Sequence, residues 1–382
     1  MWSSVGYWMA TITQSWLLYE LTGSVFLLGV MGAVRGLPRL LFGLIGGLLA
    51  DRTDRRRVLL LAESVNTVTH AALAILVALE VLAVWHLFVA VAVLGTVSSL
   101  RLPARQALLS TLVPRRSLLN AVTLSAAAMT TARLTGPAIA GALLAWRGPL
   151  VAYGAQALCH GLAALLTVWL PPGKAGSHTQ PPRSAVSSLR EGFAFVWRDR
   201  AIRSLLLVGL VPVILVQPYR ELLPVFARDV LAGGPALLGM LTAATAVGSI
   251  LAVLGLIVSG DFRTKGAVLL SAIISYGLLL LAFGFSRWVP LSLFLLVGVG
   301  TAAATHSTMT QTLVMTATPD ELRGRVLSIR LLDQGLAPVG MLVAGALASV
   351  AGAPLTMGLA GSTCAVVALV VLLRVPVLRH LS

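Results

Sequence analysis

The chain has 382 residues, of which 58% are hydrophobic and 11% charged, with 28 Lys and Arg against 13 Asp and Glu. A mean hydropathy of +0.94 excludes an ordinary soluble domain, in which roughly a quarter of the residues are charged. The formal net charge of +15 would point to nucleic acid in a soluble protein, but in so apolar a chain it points to cationic loops on the cytoplasmic side of a membrane, and no nucleic-acid partner is expected.

Broken at charged clusters and Gly/Pro turns, the sequence yields apolar spans near residues 1–21, 24–49, 58–81, 85–111, 118–146, 149–170, 203–227, 235–258, 266–285, 289–315, 324–349 and 353–374. Each approaches or exceeds the roughly 18 residues that carry a helix across a hydrocarbon core of about 30 Å. These spans predict an all-α integral membrane protein with twelve transmembrane helices. The first begins at Met1 without a polar lead, which reads as a late start or a truncated first helix, and the opening residues lack the positive n-region of a signal peptide. Residues 171–202 are the long polar interruption. Their proline-rich first part reads as a linker, while Val186, Leu189, Phe193, Val196 and Trp197 recur at helical spacing and predict an amphipathic helix on the inner membrane surface. The expected organisation is therefore a six-helix bundle over 1–170, a cytoplasmic linker with that helix over 171–202, and a second six-helix bundle over 203–382.

With the N-terminus placed in the cytoplasm, eighteen of the 28 cationic residues fall in inner loops or the C-terminal tail and three, Arg147, Arg228 and Arg287, in outer loops. That asymmetry predicts both termini inside. The two halves also read as copies. Leu27-Leu28-Gly29 matches Leu237-Leu238-Gly239, Gly47-Leu48 matches Gly255-Leu256, Pro114 matches Pro319, and the GALLA run from Gly141 matches GALAS from Gly345, in order and at nearly constant offset. Two parallel six-helix repeats are a transporter arrangement with a substrate site near the midplane.

The stretch GGLLADRTDRRR from Gly46 to Arg57 is similar to the loop 2-3 signature of the major facilitator superfamily, with Asp54 in place of its second glycine. YELTGS from Tyr19, PARQALLSTLVP from Pro103, ARLTGPAIAG from Ala132, YRELLPVFARDVL from Tyr219 and PDELRGRVLSI from Pro319 resemble its bacterial enterobactin and macrolide exporter branch. The resemblance covers nearly the whole chain. It implies a proton-coupled secondary transporter of the inner membrane that exports a small amphipathic molecule such as a drug, macrolide or siderophore by alternating access. It also implies a gating motif of Gly47, Asp51, Arg52, Arg55 and Arg56, with Asp51 meeting Arg105 or the start of the eleventh span when the cytoplasmic side closes. Gly136, Pro137 and Gly141 resemble the antiporter motif of the fifth span, although their spacing departs from the usual one. A facilitator carrier that imports another metabolite or a lipid, and a non-transporting sensor of the same fold, are the alternatives.

Charges inside spans are costly and mark cavities or ion pairs. Arg35 and Arg133 lie near mid-span and are the candidates for lining a central cavity, with Arg330 beside Asp333 as a third. Proton coupling needs an acid whose ionisation responds to burial. Asp333, the deepest acid, is the first candidate and Glu221 the second, while Glu63 reads as lying near the inner end of its span. The histidines lack a second ligand at metal spacing, and Cys159 and Cys364 read as packing residues. No Walker, HExxH or GxSxG motif is present, so no cofactor, metal or enzymatic activity is expected. Protons, a small-molecule substrate and membrane lipid are the expected partners of a monomer. At Thr318-Pro319-Asp320-Glu321 the residue order predicts a capping box opening the eleventh span.

Overall fold

The computed structural model describes residues 1–52, 54–171, 185–260 and 264–375, leaving out the side chains of residues 39–40, 42–52, 110, 115, 185–190, 192, 320–321, 323–325, 327–328 and 330–334. Among the described residues there is no strand. The helices are α1 (Trp2–Thr22), α2 (Val25–Arg52), α3 (Arg55–Ala78), α4 (Val84–Leu112), α5 (Leu118–Arg147), α6 (Pro149–Val168), α7 (Ala185–Arg198), α8 (Arg200–Leu215), α9 (Tyr219–Val225), α10 (Pro235–Ser259), α11 (Lys265–Phe285), α12 (Val289–Ala317), α13 (Asp320–Ala351) and α14 (Ala353–Arg374). Among the described residues, eight helical stretches are long and apolar enough to cross a membrane, with α8 and α9 counted as one. Two further apolar pieces belong to α2 and α13. Helices α1 and α5 make up the twelve. Their lengths of 21 and 30 residues suffice, and their Ser, Thr, Gln and Asn side chains lower their hydropathy. In α1 most of that polar content is turned inward, with Ser4, Thr13, Gln14 and Ser15 all buried. A helix that keeps its polar side chains away from lipid can span a membrane with modest hydropathy.

Contacts divide the chain into two compact units, one of Met1–His178 with Leu223–Ala243, the other of Thr179–Leu222 with Ala244–Ser382. In the first, α3 packs on α6 and α4, α2 on α4, and α1 on α5 and α6. In the second, α11 packs on α14 and α12, and α13 on α8 and α7. The expected amphipathic helix is α7. Val196 is buried on it while Phe193 and Trp197 are exposed.

The seventh span departs from the expected single helix. Pro218 has no N–H for the Ile214 carbonyl and would clash with it in a continuous helix, so α8 ends at Leu215 and α9 restarts at Tyr219. Gly340 of α13 lies directly against the Ile214 oxygen, an approach that any side chain would block. Past Pro224 the chain widens into a π-helical turn, Phe226–Val230. The capping box at Thr318 also fails to form. Pro319 is the N-cap of α13 and makes no side-chain cap, because the Thr318 hydroxyl donates back to the Val314 carbonyl at 2.6 Å and closes α12 instead.

Asp54 takes the place of a motif glycine for a physical reason. It is the N-cap of α3, and its carboxylate accepts from the Arg56 N–H at 2.9 Å. A negative cap satisfies an orphan donor and faces the positive end of the helix dipole. Asp54→Ala is expected to lower stability by about 1 kcal/mol, read as a lower thermal unfolding midpoint of the purified protein, whereas Asp54→Asn should recover most of it.

Candidate functional site

The first unit holds a small, partly open cleft walled by α1, α2, α3, α4 and α6. Tyr7, Thr11 and Gln14 reach it from α1, Arg35 from α2, Asn66 and His70 from α3, Ser98 and Arg101 from α4, and His160 from α6, with Val91, Leu94 and Gly95 forming an apolar wall. The α4 wall closes tightly on α2, because a Cβ on Gly95 would stand 3.0 Å from the Arg35 carbonyl oxygen. The polar wall is held by a connected network. His160 Nδ1 donates to Glu63 Oε2 at 2.7 Å, Ser3 Oγ donates to Glu63 Oε1 at 2.6 Å, and Arg101 Nη1 stands 3.3 Å from the same oxygen while also donating to Ser3. Glu63, His70 and His160 are 5%, 1% and 2% exposed. A carboxylate buried this deeply persists as an ion only when paired and hydrogen-bonded, and both conditions are met here.

The second imidazole lies on the first. The His70 and His160 rings stack at 5.2 Å with an interplanar angle of 11°, and His70 Nδ1 donates to the Asn66 carbonyl at 2.6 Å. A carbonyl or a carboxylate oxygen can only accept, so both rings carry their proton on Nδ1. Beneath the pair, Gln156 donates to Thr13 at 2.8 Å. Gly6 of α1 lies so close to His160 that a Cβ there would stand 2.8 Å from Nε2.

A family model described as "Transmembrane secretion effector" matches residues 1–381. The chain belongs to that family. It is a major facilitator superfamily transporter. The multidrug efflux pump Tap of Mycolicibacterium fortuitum is 27% identical over 361 residues, 92% of this chain and 87% of that protein. The staphyloferrin A transporter of Staphylococcus aureus is 26% identical over 360 residues, 94% and 89% of the two chains. Among solved structures the nucleoside transporter NupG superposes with a TM-score of 0.75 over 97% of both chains at 12% identity, a likeness of fold alone.

Within this family fold the residues expected from the sequence are placed as follows. Arg35 lies on the cleft. Arg133 stands 5.2 Å above the Trp8 ring, half-buried between α5 and α1. Arg105 donates to Ser4 Oγ at 3.2 Å and Ser125 Oγ at 2.9 Å, tying α4 to α1 and α5. Arg55 is buried and donates to the Ala107 carbonyl at 3.1 Å, and Arg56 donates to the Val168 carbonyl. Val168 is the last residue of α6, where the helix dipole is negative. Glu221 is buried in α9. The side chains of Gly47, Asp51, Arg52, Arg330 and Asp333 lie outside the described residues.

The resembled antiporter motif is a crossing point. A Cβ on Gly136 would meet Trp8 Cβ at 2.8 Å, and one on Gly141 would meet the Pro235 carbonyl oxygen at 2.6 Å and Gly239 Cα at 3.0 Å. Its glycines thus let α5 touch α1 on one side and the first turns of α10 on the other, the close backbone approach that small residues permit in membranes. Nearby, the Tyr19 hydroxyl donates to the Asp229 carboxylate, and the Arg228 guanidinium lies 5.4 Å from the Tyr19 ring.

The sequence reading missed Glu63, His70 and His160 as a functional group. The histidines read as isolated, and Glu63 as an acid near the inner end of its span. The signal available was the i, i+3, i+7 spacing of Glu63, Asn66 and His70, which sets three polar side chains on one stripe of an apolar helix.

Proposed function

We propose that this chain exports a small amphipathic molecule of the drug, macrolide or siderophore kind across the cell membrane in exchange for protons, by alternating access. The observation that carries this reading is the buried Glu63 to His160 pair, 2.7 Å apart, whose imidazole lines the polar cleft of the first unit. A carboxylate and imidazole shielded from lipid by a charged network can take a proton from one side and release it to the other as their solvation changes. Glu63 thereby joins Asp333 and Glu221 as a coupling candidate, with Arg330 as modulator of Asp333. The names of the relatives, an efflux pump and a siderophore transporter, support the substrate range.

In this reading Gly47, Asp51, Arg52, Arg55 and Arg56 form the cytoplasmic gating loop, with Arg105 as partner of Asp51. Arg35 and Arg133 are cavity residues, and Gly136, Pro137 and Gly141 permit the helix movements of exchange. Both termini face the cytoplasm, and the protein works as a monomer in lipid. The test is accumulation in cells. Expression should lower the accumulation of at least one compound from a panel of dyes, macrolides and siderophores, and a protonophore should restore it. Lowered accumulation that persists with the protonophore overturns proton coupling, and an unaffected panel overturns export.

A further inference from the structure

We propose that Arg220 is an anion-recognising residue of the second unit and that it selects substrates carrying a carboxylate or a similar oxyanion. The inference deepens the export reading, on which it rests for the fate of the bound molecule. It starts from a charge inside a membrane span. Every residue from Pro218 to Ala227 is buried except Arg220, so its side chain lies among protein rather than lipid, and it alone in that stretch keeps partial exposure. A guanidinium is always charged and offers five N–H donors and no acceptor. Arg220 Nε is buried without a hydrogen-bond partner, and among the described residues no carboxylate or other acceptor stands within bonding distance of the rest of the group.

Its neighbours do not satisfy it. Glu221 is buried, but it follows directly in the chain, and consecutive residues of a helix do not face each other. The other polar groups in its field are the phenols of Tyr219 and of Tyr276 on α11. The Tyr219 ring lies 5.9 Å from the guanidinium carbon. That cation–π contact offsets part of the cost of burial and leaves the N–H groups unpaired. The Tyr219 hydroxyl, on a residue 2% exposed, has no partner either, so a second donor stands on the same ring.

The chemistry of these donors defines the ligand. A charge inside a span without hydrogen bonds is costly, and such residues mark substrate paths. A group that can only donate is satisfied by one that can only accept. A carboxylate matches the planar guanidinium with two parallel charge-assisted bonds, whereas a neutral amide offers one oxygen and no charge.

The test uses the full chain in nanodiscs of zwitterionic lipid and ligand-observed NMR, with empty nanodiscs subtracted, and two probes of one scaffold, 2-naphthoate and 2-naphthamide. The carboxylate is expected to bind about tenfold or more tightly than the amide, because charge-assisted hydrogen bonds are about twice as strong as neutral ones. Inorganic phosphate, which lacks an apolar body, should displace it only in large excess. Arg220→Met should bring the carboxylate down to the affinity of the amide and leave that of the amide unchanged, which also shows that the variant is folded. Its unfolding midpoint should stay level or rise, since the lost charge was unpaired, whereas loss of a residue kept for packing would lower it. Arg220→Lys keeps the charge without the fork and should recover only part of the preference. Equal binding of the two probes, no binding of the carboxylate, a carboxylate preference that survives Arg220→Met, a lower midpoint of that variant, or displacement of 2-naphthoate by an equal concentration of inorganic phosphate would each overturn the proposal. These measurements need neither a proton gradient nor transport, so export could fail its protonophore test while this recognition stands, and the reverse.

Discussion

Glu63→Gln is expected to cut substrate-driven proton flux in proteoliposomes by about 10- to 100-fold. Glutamine keeps the length of the side chain, and its amide oxygen can still accept from His160 Nδ1, now without charge. What is lost is the negative partner of Arg101, 3.3 Å away, and of any proton carried by the stacked imidazoles. Hydrogen bonds to charged groups are worth about 1.5–3 kcal/mol, and each 1.4 kcal/mol corresponds to a factor of ten, which sets the range. Because proton uptake would then place an uncompensated charge beside Arg101, the variant should still bind substrate but no longer exchange it for protons. Downhill counterflow of substrate should persist. Glu63→Ala is the harsher change, since removal of one partner of a buried pair costs about 3–5 kcal/mol, and it should lower the unfolding midpoint of the purified protein. Proton flux that survives Glu63→Gln in a folded protein would return the coupling role to Asp333 or Glu221.

The course of the chain was legible because lipid imposes one rule on every span. Each apolar stretch between charged turns except the seventh became a single helix, and the bounds moved by at most a few residues. What composition could not convey was local backbone chemistry. Pro218 follows two residues at which α8 could have continued, yet its missing N–H splits the span, and the freed Ile214 carbonyl meets Gly340, more than a hundred residues onward. Thr318 had two carbonyl environments within reach, and bonding back to Val314 at 2.6 Å won over capping α13, as Ser and Thr side chains often do at helix ends.

The site was less legible, because its members are remote in sequence. Glu63 meets His160 across |i−j|=97 and Ser3 across |i−j|=60. Each residue alone is an ordinary polar exception in an apolar helix, and depth along a span ranked Asp333 above Glu63. Burial by neighbouring helices, rather than depth along its own, is what makes Glu63 a candidate. The cationic run after Gly46 illustrates the opposite case. Its arginines read as topology signals, and Arg55 and Arg56 are in addition spent on carbonyls of α4 and α6, which ties three helices together at one end of the first unit.

Gly141→Val should reduce transport by about 5- to 150-fold while the protein still inserts and purifies. The reason is geometric. A Cβ at 141 would lie 2.6 Å from the Pro235 carbonyl oxygen and 3.0 Å from Gly239 Cα, and both are backbone atoms that cannot rotate aside. Gly239 reciprocates, its own Cβ direction running to 2.6 Å from the Pro137 carbonyl oxygen, so relief on one side tightens the other. Overpacking a close contact costs about 1–3 kcal/mol. Spent against one conformation, a coupling energy of that size shifts populations by about 5- to 150-fold, and a carrier that must visit every state of its cycle slows accordingly. Gly154→Val is the matched control, because none of the described residues lies within 4 Å of a Cβ at 154 on α6, and it should transport normally. Equal loss in both variants would mean that bulk in any membrane helix is harmful. Normal transport by Gly141→Val would mean that the α5 to α10 crossing is not part of the cycle, and the motif around Gly136 and Pro137 would then serve only to pack α5 against α1.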